Sequence, residues 1–166
     1  LTKEQKLVPI NWNGMEVMSF GFISGNDSPA IWRGPLVARM TEQFFRDVLW
    51  GKLDFLILDL PPGTGDIQLT LTQKIQITGA VIVTTPQDIA LSDVRKGADM
   101  FKKVNTPVLG VVENMTHFLC PHCEQDTEIF PGTGGKSESK RLGKPLLGQI
   151  FMSPDLAISG DAGEPY

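Results

Sequence analysis

Cysteine is scarce in this chain of 166 residues, which holds two, Cys120 and Cys123. A small secreted domain stapled by disulfides needs several more, so that class is excluded and a reducing compartment fits the pair. Basic excess is missing as well. Fifteen Lys and Arg stand against nineteen Asp and Glu, for a formal charge of -4. A nucleic-acid or anionic-membrane surface needs a basic face, and the evenly spread cations form none. No apolar run approaches the roughly 20 residues of a membrane span. Leu1 to Ile10 lacks the basic-then-apolar layout of a signal peptide. What is present is the makeup of an ordinary core, with 41% apolar and 20% charged residues and neither repeats nor low-complexity linkers. The expectation is a soluble, cytoplasmic globular domain or most of one. The chain opens on Leu1 rather than Met, which fits a piece cut from something longer.

Apolar runs of strand length alternate with segments of helical period, the pattern of a mostly parallel sheet with crossover helices. Glu16 to Ser24 reads as a first strand. A helix is expected from Gly34-Pro35, with Leu36, Val37, Met40, Phe44, Val48 and Leu49 on one face, until Gly51 stops it. Asp54 to Leu60 (DFLILDL) is nearly all apolar and reads as a central strand buried on both faces. A helix from about Ile67 to Gln76 follows. Gly79 to Thr85 reads as a buried strand, Ile89 to Val104 as a crossover helix, and Pro107 to Glu113 as a third strand. Leu119 to Gly135 breaks the rhythm with its cysteines, acids and glycines, and is assigned to an excursion outside the sheet. A short helix near Ser137 to Leu142 and a strand from Pro145 to Phe151 resume the pattern.

Two places could carry chemistry. Asp59 closes an apolar strand just before Pro61-Pro62-Gly63-Thr64-Gly65-Asp66. Ligands gather at the carboxyl ends of parallel strands, where a carboxylate can hold magnesium or its waters. A glycine such as Gly63 lets backbone N–H groups approach a phosphate. The bland alternative is a tight Pro-Gly turn. The second place is Cys120-Pro121-His122-Cys123, whose spacing suits one metal or one edge of an iron–sulfur cluster. A redox dithiol, a zinc knuckle using His117 or His122, and two unrelated core cysteines remain open on spacing alone. Two ligands do not complete a site, so a second pair from a symmetry mate is implied and a homodimer is expected. Gly134-Gly135-Lys136-Ser137 tempts as a Walker A loop, but the glycine that pattern requires falls on Phe130. It reads as a glycine-rich connector. Trp12, Trp32 and Trp50 are widely spaced and read as packing residues.

Leu58 to Asp66 resembles the switch II region of the Mrp/ApbC group of MinD-like P-loop ATPases. Ile31-Trp32-Arg33-Gly34-Pro35, Glu113-Asn114-Met115 and Cys120 to Cys123 are similar to further blocks of that group in the same order, and Gly160 to Pro165 resembles its closing motif. The resemblance implies a MinD/SIMIBI-type P-loop NTPase fold truncated at the N-terminus. On that reading, residues 1–166 form a partial ATPase domain with a metal-binding CxxC excursion at about 115–135. It assigns Asp59 to magnesium, Gly63 to a backbone contact near the terminal phosphate, Asn114 to adenine, and Cys120 and Cys123 to a 4Fe-4S cluster shared between two subunits. ATP and Mg2+ are the implied cofactors of the full-length protein, and apo iron–sulfur proteins the implied recipients. Two departures stand out. Nothing in Leu1 to Ser24 resembles the group's lysine-bearing P-loop or its switch I acid. The closing loop also has Phe151 and Ser153 where the group has Pro and an acid. The implied function is an iron–sulfur cluster carrier or scaffold with nucleotide-dependent switching, whose hydrolytic residues are absent from this stretch, so that it turns over ATP poorly alone. Loss of a P-loop strand is expected to leave apolar sheet edges open. The competing readings are a MinD/ParA-like positioning regulator, which needs a basic tail or face, and a zinc-stabilised binding module with a degenerate nucleotide site.

Overall fold

A computed structural model describes residues 6–24, 34–60, 68–69, 71–72 and 75–166. The chain divides into two units, Leu1–Ile75 and Gln76–Tyr166.

The first unit opens with a hairpin. Strands β1 (Ile10–Trp12) and β2 (Met15–Val17) pair antiparallel with Trp12 opposite Met15. Asn13 and Gly14 between them both have positive φ, 49° and 80°. That is the backbone of a type I′ turn, for which Asn-Gly is the favoured dipeptide because its twist matches that of the strands. The chain then enters a short helix, α1 (Gly21–Ser24), with Ser19 Oγ accepting the Gly21 N–H. The strand expected over Glu16 to Ser24 is therefore corrected. Its apolar residues split between a three-residue strand and a helical turn, where Phe22 and Ile23 are 53% and 44% exposed. Helix α2 (Gly34–Asp47) starts at the expected Gly34-Pro35. Leu7 pairs with its end through Leu7 N–H to Asp47 O and Leu49 N–H to Leu7 O, both 2.8 Å. Phe20 stacks on Phe44 with ring centroids 4.5 Å apart, and the Trp50 indole N–H donates to Phe44 O at 2.9 Å. The second contact ties Trp50 to α2.

Residues 53–60 are the main correction. Among the described residues no strand pairs with them, and Phe55 and Ile57 are 86% and 88% exposed. An apolar run is buried on both faces only when neighbouring strands take up its backbone donors and acceptors, and that neighbour is not among the described residues. Of the helix expected at 67–76, residues 68–69 and 71–72 are helical, whereas Ile75 and Gln76 are not.

The second unit holds the parallel sheet. β3 (Ala80–Thr84) runs parallel to β4 (Val108–Leu119), which runs parallel to β6 (Leu146–Met152) on its other side. β5 (Asp126–Thr127) pairs antiparallel with the far end of β4, with Leu119 opposite Asp126. Helix α3 (Asp88–Lys103) crosses from β3 to β4, and α4 (Gly134–Leu142) leads from β5 into β6. The core lies where α3 and α4 pack on one sheet face, around Ile82, Leu91, Phe101 and Val111. The β3 strand, expected as a buried strand, is buried on that face alone: Ala80, Ile82 and Thr84 point inward, whereas Val81 and Val83 are exposed. β4 continues six residues beyond its expected end at Glu113.

Local chemistry sets the helix ends. α3 has Asp88 in its first turn and Lys102 and Lys103 in its last, signs that complement the helix dipole. α4 ends at Gly143 with φ 61°, a left-handed cap in which Gly143 N–H reaches Lys140 O and Lys144 N–H reaches Ser139 O. The stretch Gly134-Gly135-Lys136-Ser137, expected as a connector, is the first turn of α4. A last helix, α5 (Pro154–Ala162), was not anticipated. Ser153 Oγ caps it from Asp155 N–H, and Pro154 occupies its first turn. Between α3 and α4, the fully buried Glu138 accepts Arg95 Nε at 3.2 Å and Arg141 Nε at 2.8 Å. Burial pushes the Glu138 carboxyl up, but the hydrogen bonds from Arg141 and Arg95 outweigh it and hold the group below the ordinary range.

Candidate functional site

The cysteine pair sits on the loop joining β4 to β5. Cys120 N–H donates to Gln125 O at 3.1 Å and Glu124 N–H donates to Cys120 O at 2.9 Å, so the loop closes tightly on itself. Glu124 adopts φ 55° to make that turn. The Cys120 sulfur lies near the backbone N–H groups of His122 and Cys123 and near the Cys123 thiol. These donors favour the thiolate and hold the Cys120 pKa below that of an ordinary thiol. Cys120 is half-buried, Cys123 is exposed, and both are free of disulfides. A half-buried sulfur whose thiolate form is favoured, beside a second, exposed cysteine, suits a soft metal or a cluster edge. Among the described residues no group of three or more His, Cys, Asp or Glu gathers around one point. The pair therefore offers two ligands.

The root of this loop is braced. The His117 ring stacks on Phe151 with centroids 5.8 Å apart, its Nε2 lies 3.6 Å from Asp126 Oδ1, and its Nδ1 lies 2.8 Å from Thr116 Oγ1. Thr116 Oγ1 donates in turn to Ile150 O. His117 thus ties β4, β5 and β6 together, while also lining a cleft of about 760 Å3 with Glu113, Asp126, Lys136 and Lys140. His122 is exposed in the cysteine loop.

Asn114 lies on the same strand. Its Oδ1 accepts the N–H of Met115 at 2.9 Å, and Met115 has φ 57°. The β4–β6 register shifts between Asn114 and Phe118. A non-glycine residue held in the left-handed region costs free energy, and such positions cluster at ligand-binding sites. Asp59 lies in the first unit, exposed, at the end of the unpaired extended run. Gly63 falls outside the described residues. Neither spacing nor resemblance singled out Glu113 as a site residue. It is 5% exposed and accepts Gly135 N–H at 2.5 Å and Gln149 Nε2 at 2.6 Å. Its signal in the sequence was an acid closing an apolar strand, the same feature that drew attention to Asp59.

Comparison with known proteins bears on the fold and the family. A solved nucleotide-binding protein from Archaeoglobus fulgidus, in complex with ADP and with cobalt, superposes with a TM-score of 0.79 at 36% identity, over 97% of this chain and 63% of that one. An iron–sulfur cluster transfer protein NUBPL from Dictyostelium discoideum is 48% identical over 96% of this chain and 50% of its own length. An iron–sulfur cluster carrier protein from Aquifex aeolicus is 48% identical over 97% of this chain and 44% of its own length. The chain spans about half the length of the curated relatives it matches. The family model described as NUBPL iron-transfer P-loop NTPase, of the ParA group, matches residues 1–166. The chain belongs to that iron-transfer P-loop NTPase family.

Proposed function

We propose that this chain is a portion of an iron–sulfur cluster carrier, within one MinD-like ATPase domain, and that Cys120 and Cys123 hold one edge of a 4Fe-4S cluster as cargo. The observation that carries the reading is the tight β4–β5 loop, closed by Cys120 N–H to Gln125 O and Glu124 N–H to Cys120 O, which presents two cysteines free of disulfides, Cys120 half-buried and Cys123 exposed. Relatives named as carriers or transfer proteins support it. A second copy of the chain supplies the other two ligands, because two thiolates leave a four-iron cluster half held. Apo iron–sulfur proteins receive the cargo in a reducing, cytoplasmic setting. No helix among the described residues is long and apolar enough to cross a membrane.

In the complete protein the nucleotide is ATP with Mg2+. Asn114 contacts adenine from the bulged part of β4, Gly63 offers its backbone to the terminal phosphate, and Asp59 stands where magnesium or its waters bind. Phosphoryl transfer needs only positioning and charge stabilisation from such groups.

The test is anaerobic reconstitution of the full-length protein with iron and sulfide, followed by absorbance, metal analysis and sedimentation. A dimer carrying four irons, and loss of the charge-transfer band in Cys120→Ala, are expected. Zinc in place of iron, or a band indifferent to Cys120→Ala, overturns the reading. A second outcome concerns the apoprotein. Alkylation of Cys120 by iodoacetamide persists below the pH of about 8.5 at which an ordinary thiol is half ionised, because the loop's N–H groups already favour the thiolate. Peptide mass spectrometry of samples quenched across pH reads it directly.

A further inference from the structure

We propose that Glu113 is the positioning residue that latches the cysteine-bearing excursion to the strand carrying Asn114. The inference deepens the carrier reading and, for its metal readout, rests on it. The β4–β6 register shifts after Asn114, β4 runs on to Leu119 with Phe118 still paired to Met152, and the excursion that follows returns to β4 at Gly134 and Gly135, the start of α4. One side chain closes the base of that excursion. The Glu113 carboxylate is buried and accepts Gly135 N–H, at the start of α4, through one oxygen and Gln149 Nε2 of β6 through the other. Among the described residues no cation pairs with it, so neutral donors and the positive end of the α4 dipole hold the charge.

The returning segment is shaped for this contact. A Cβ at Gly134 would run into the Glu113 carboxylate and the Pro86 Cα, and one at Gly135 would sit 2.8 Å from Glu113 Cβ. A Cβ at Gly132 would meet the Pro86 carbonyl oxygen. Glycines at these three positions let the backbone press against the end of β3 and against Glu113 together. An apolar side chain at 113 could fill the same space but would leave Gly135 N–H and Gln149 without their acceptor. The carboxylate therefore fixes where the loop of Cys120 and Cys123 stands relative to Asn114, its own neighbour in sequence. Groups hydrogen-bonded directly to metal ligands typically change metal affinity by about 10–100-fold when removed, and Glu113, which acts through the backbone, is placed at the low end of that range.

The experiment compares wild type, Glu113→Ala, Glu113→Gln and Gly134→Ala in the full-length protein. Hydrogen exchange is read over residues 117–135 with α3 as internal reference, and the apoprotein is titrated with Zn2+ alone against a chromophoric chelator. In Glu113→Ala, exchange over 117–135 accelerates about tenfold while α3 keeps its rate, and Zn2+ affinity falls about tenfold. Glu113→Gln restores both, since its carbonyl still accepts Gly135 N–H and Gln149 can turn its amide. Gly134→Ala, which drives the returning segment off the carboxylate from the other side, reproduces the alanine phenotype even where Glu113→Ala fails to fold. Unchanged exchange over 117–135, or acceleration shared equally by α3, overturns the latch. A wild type that takes up neither zinc nor iron sinks the carrier reading, and the exchange rates then decide the latch on their own.

Discussion

Residues 55–60 and residues 80–84 are both short, mainly apolar runs, and they reach different environments. Phe55 and Ile57 are 86% and 88% exposed, whereas Ala80 and Ile82 are 8% and 6% exposed. Composition does not separate them. Pairing does, because β3 hydrogen-bonds to β4 and lies under α3, while residues 53–60 have no partner strand among the described residues. Burial belongs to the pair of surfaces and not to either sequence. The second unit closes its core with its own elements, so its stability should be sensitive to single side chains, and the unpaired run should be insensitive.

The largest effect expected on that comparison is at Leu91, 1% exposed on the face of α3 that packs against the sheet. Leu91→Ala removes buried methyl groups and leaves a cavity, costing about 2–5 kcal/mol in urea unfolding. A cost under about 1 kcal/mol would mean that the α3–sheet interface is loose and that the contrast between the two runs is false.

Glu138→Ala ranks next. It breaks the link between α3 and α4 and leaves Arg95 and Arg141 without their acceptor, but both are partly exposed and can rehydrate, so about 1–3 kcal/mol is expected. The sign of the pH dependence follows from the lowered carboxyl pKa. The folded state binds its proton less readily than the unfolded chain, so the stabilisation is complete above the unfolded value of about 4.3. It is lost as pH falls through the folded value. Glu138→Gln removes that acid-side slope while keeping part of the hydrogen bonding. An identical slope in wild type and Glu138→Gln between pH 5 and 3 would show that the carboxylate is not ionised and paired in the fold.

How much could be read in advance follows the same division between local and distant causes. The α3 helix expected from Ile89 to Val104 forms at Asp88–Lys103, because periodicity and terminal charges act within a few residues. The starts of β3, β4 and β6 lie one residue inside their expected positions for the same reason. The length of β4 was not legible. Asn114, Thr116 and His117 look like a loop, and the strand continues through them because β6 pairs with Asn114 and Phe118, and β5 with Phe118 and Leu119, from elsewhere in the chain. α5 was missed although Ser153-Pro154 at its start and Gly163 at its end are recognisable stop and start signals, since its residues carry no strong apolar face. The cysteine pair was visible from spacing and Asn114 from resemblance. The bond from Gly135 to Glu113 spans 22 positions and leaves no periodic trace, so only the fold reveals it.

The smallest effect is the one that tests the comparison hardest. Phe55→Ser replaces a ring that is 86% exposed and packs against little, so the hydrophobic term that makes core truncations costly is nearly absent. Its expected change in the urea unfolding free energy of the 166-residue chain is within about 0.5 kcal/mol, the range of ordinary surface substitutions. The variant should also be more soluble, because an exposed apolar run without a strand partner invites pairing with another copy. Solubility and stability then move independently, which is how an open edge behaves. A penalty comparable to that of Leu91→Ala would mean that the 53–60 run is covered in solution. The exposure of Phe55 and Ile57 would then no longer distinguish them from Ile82, and the two runs would be one kind of strand after all.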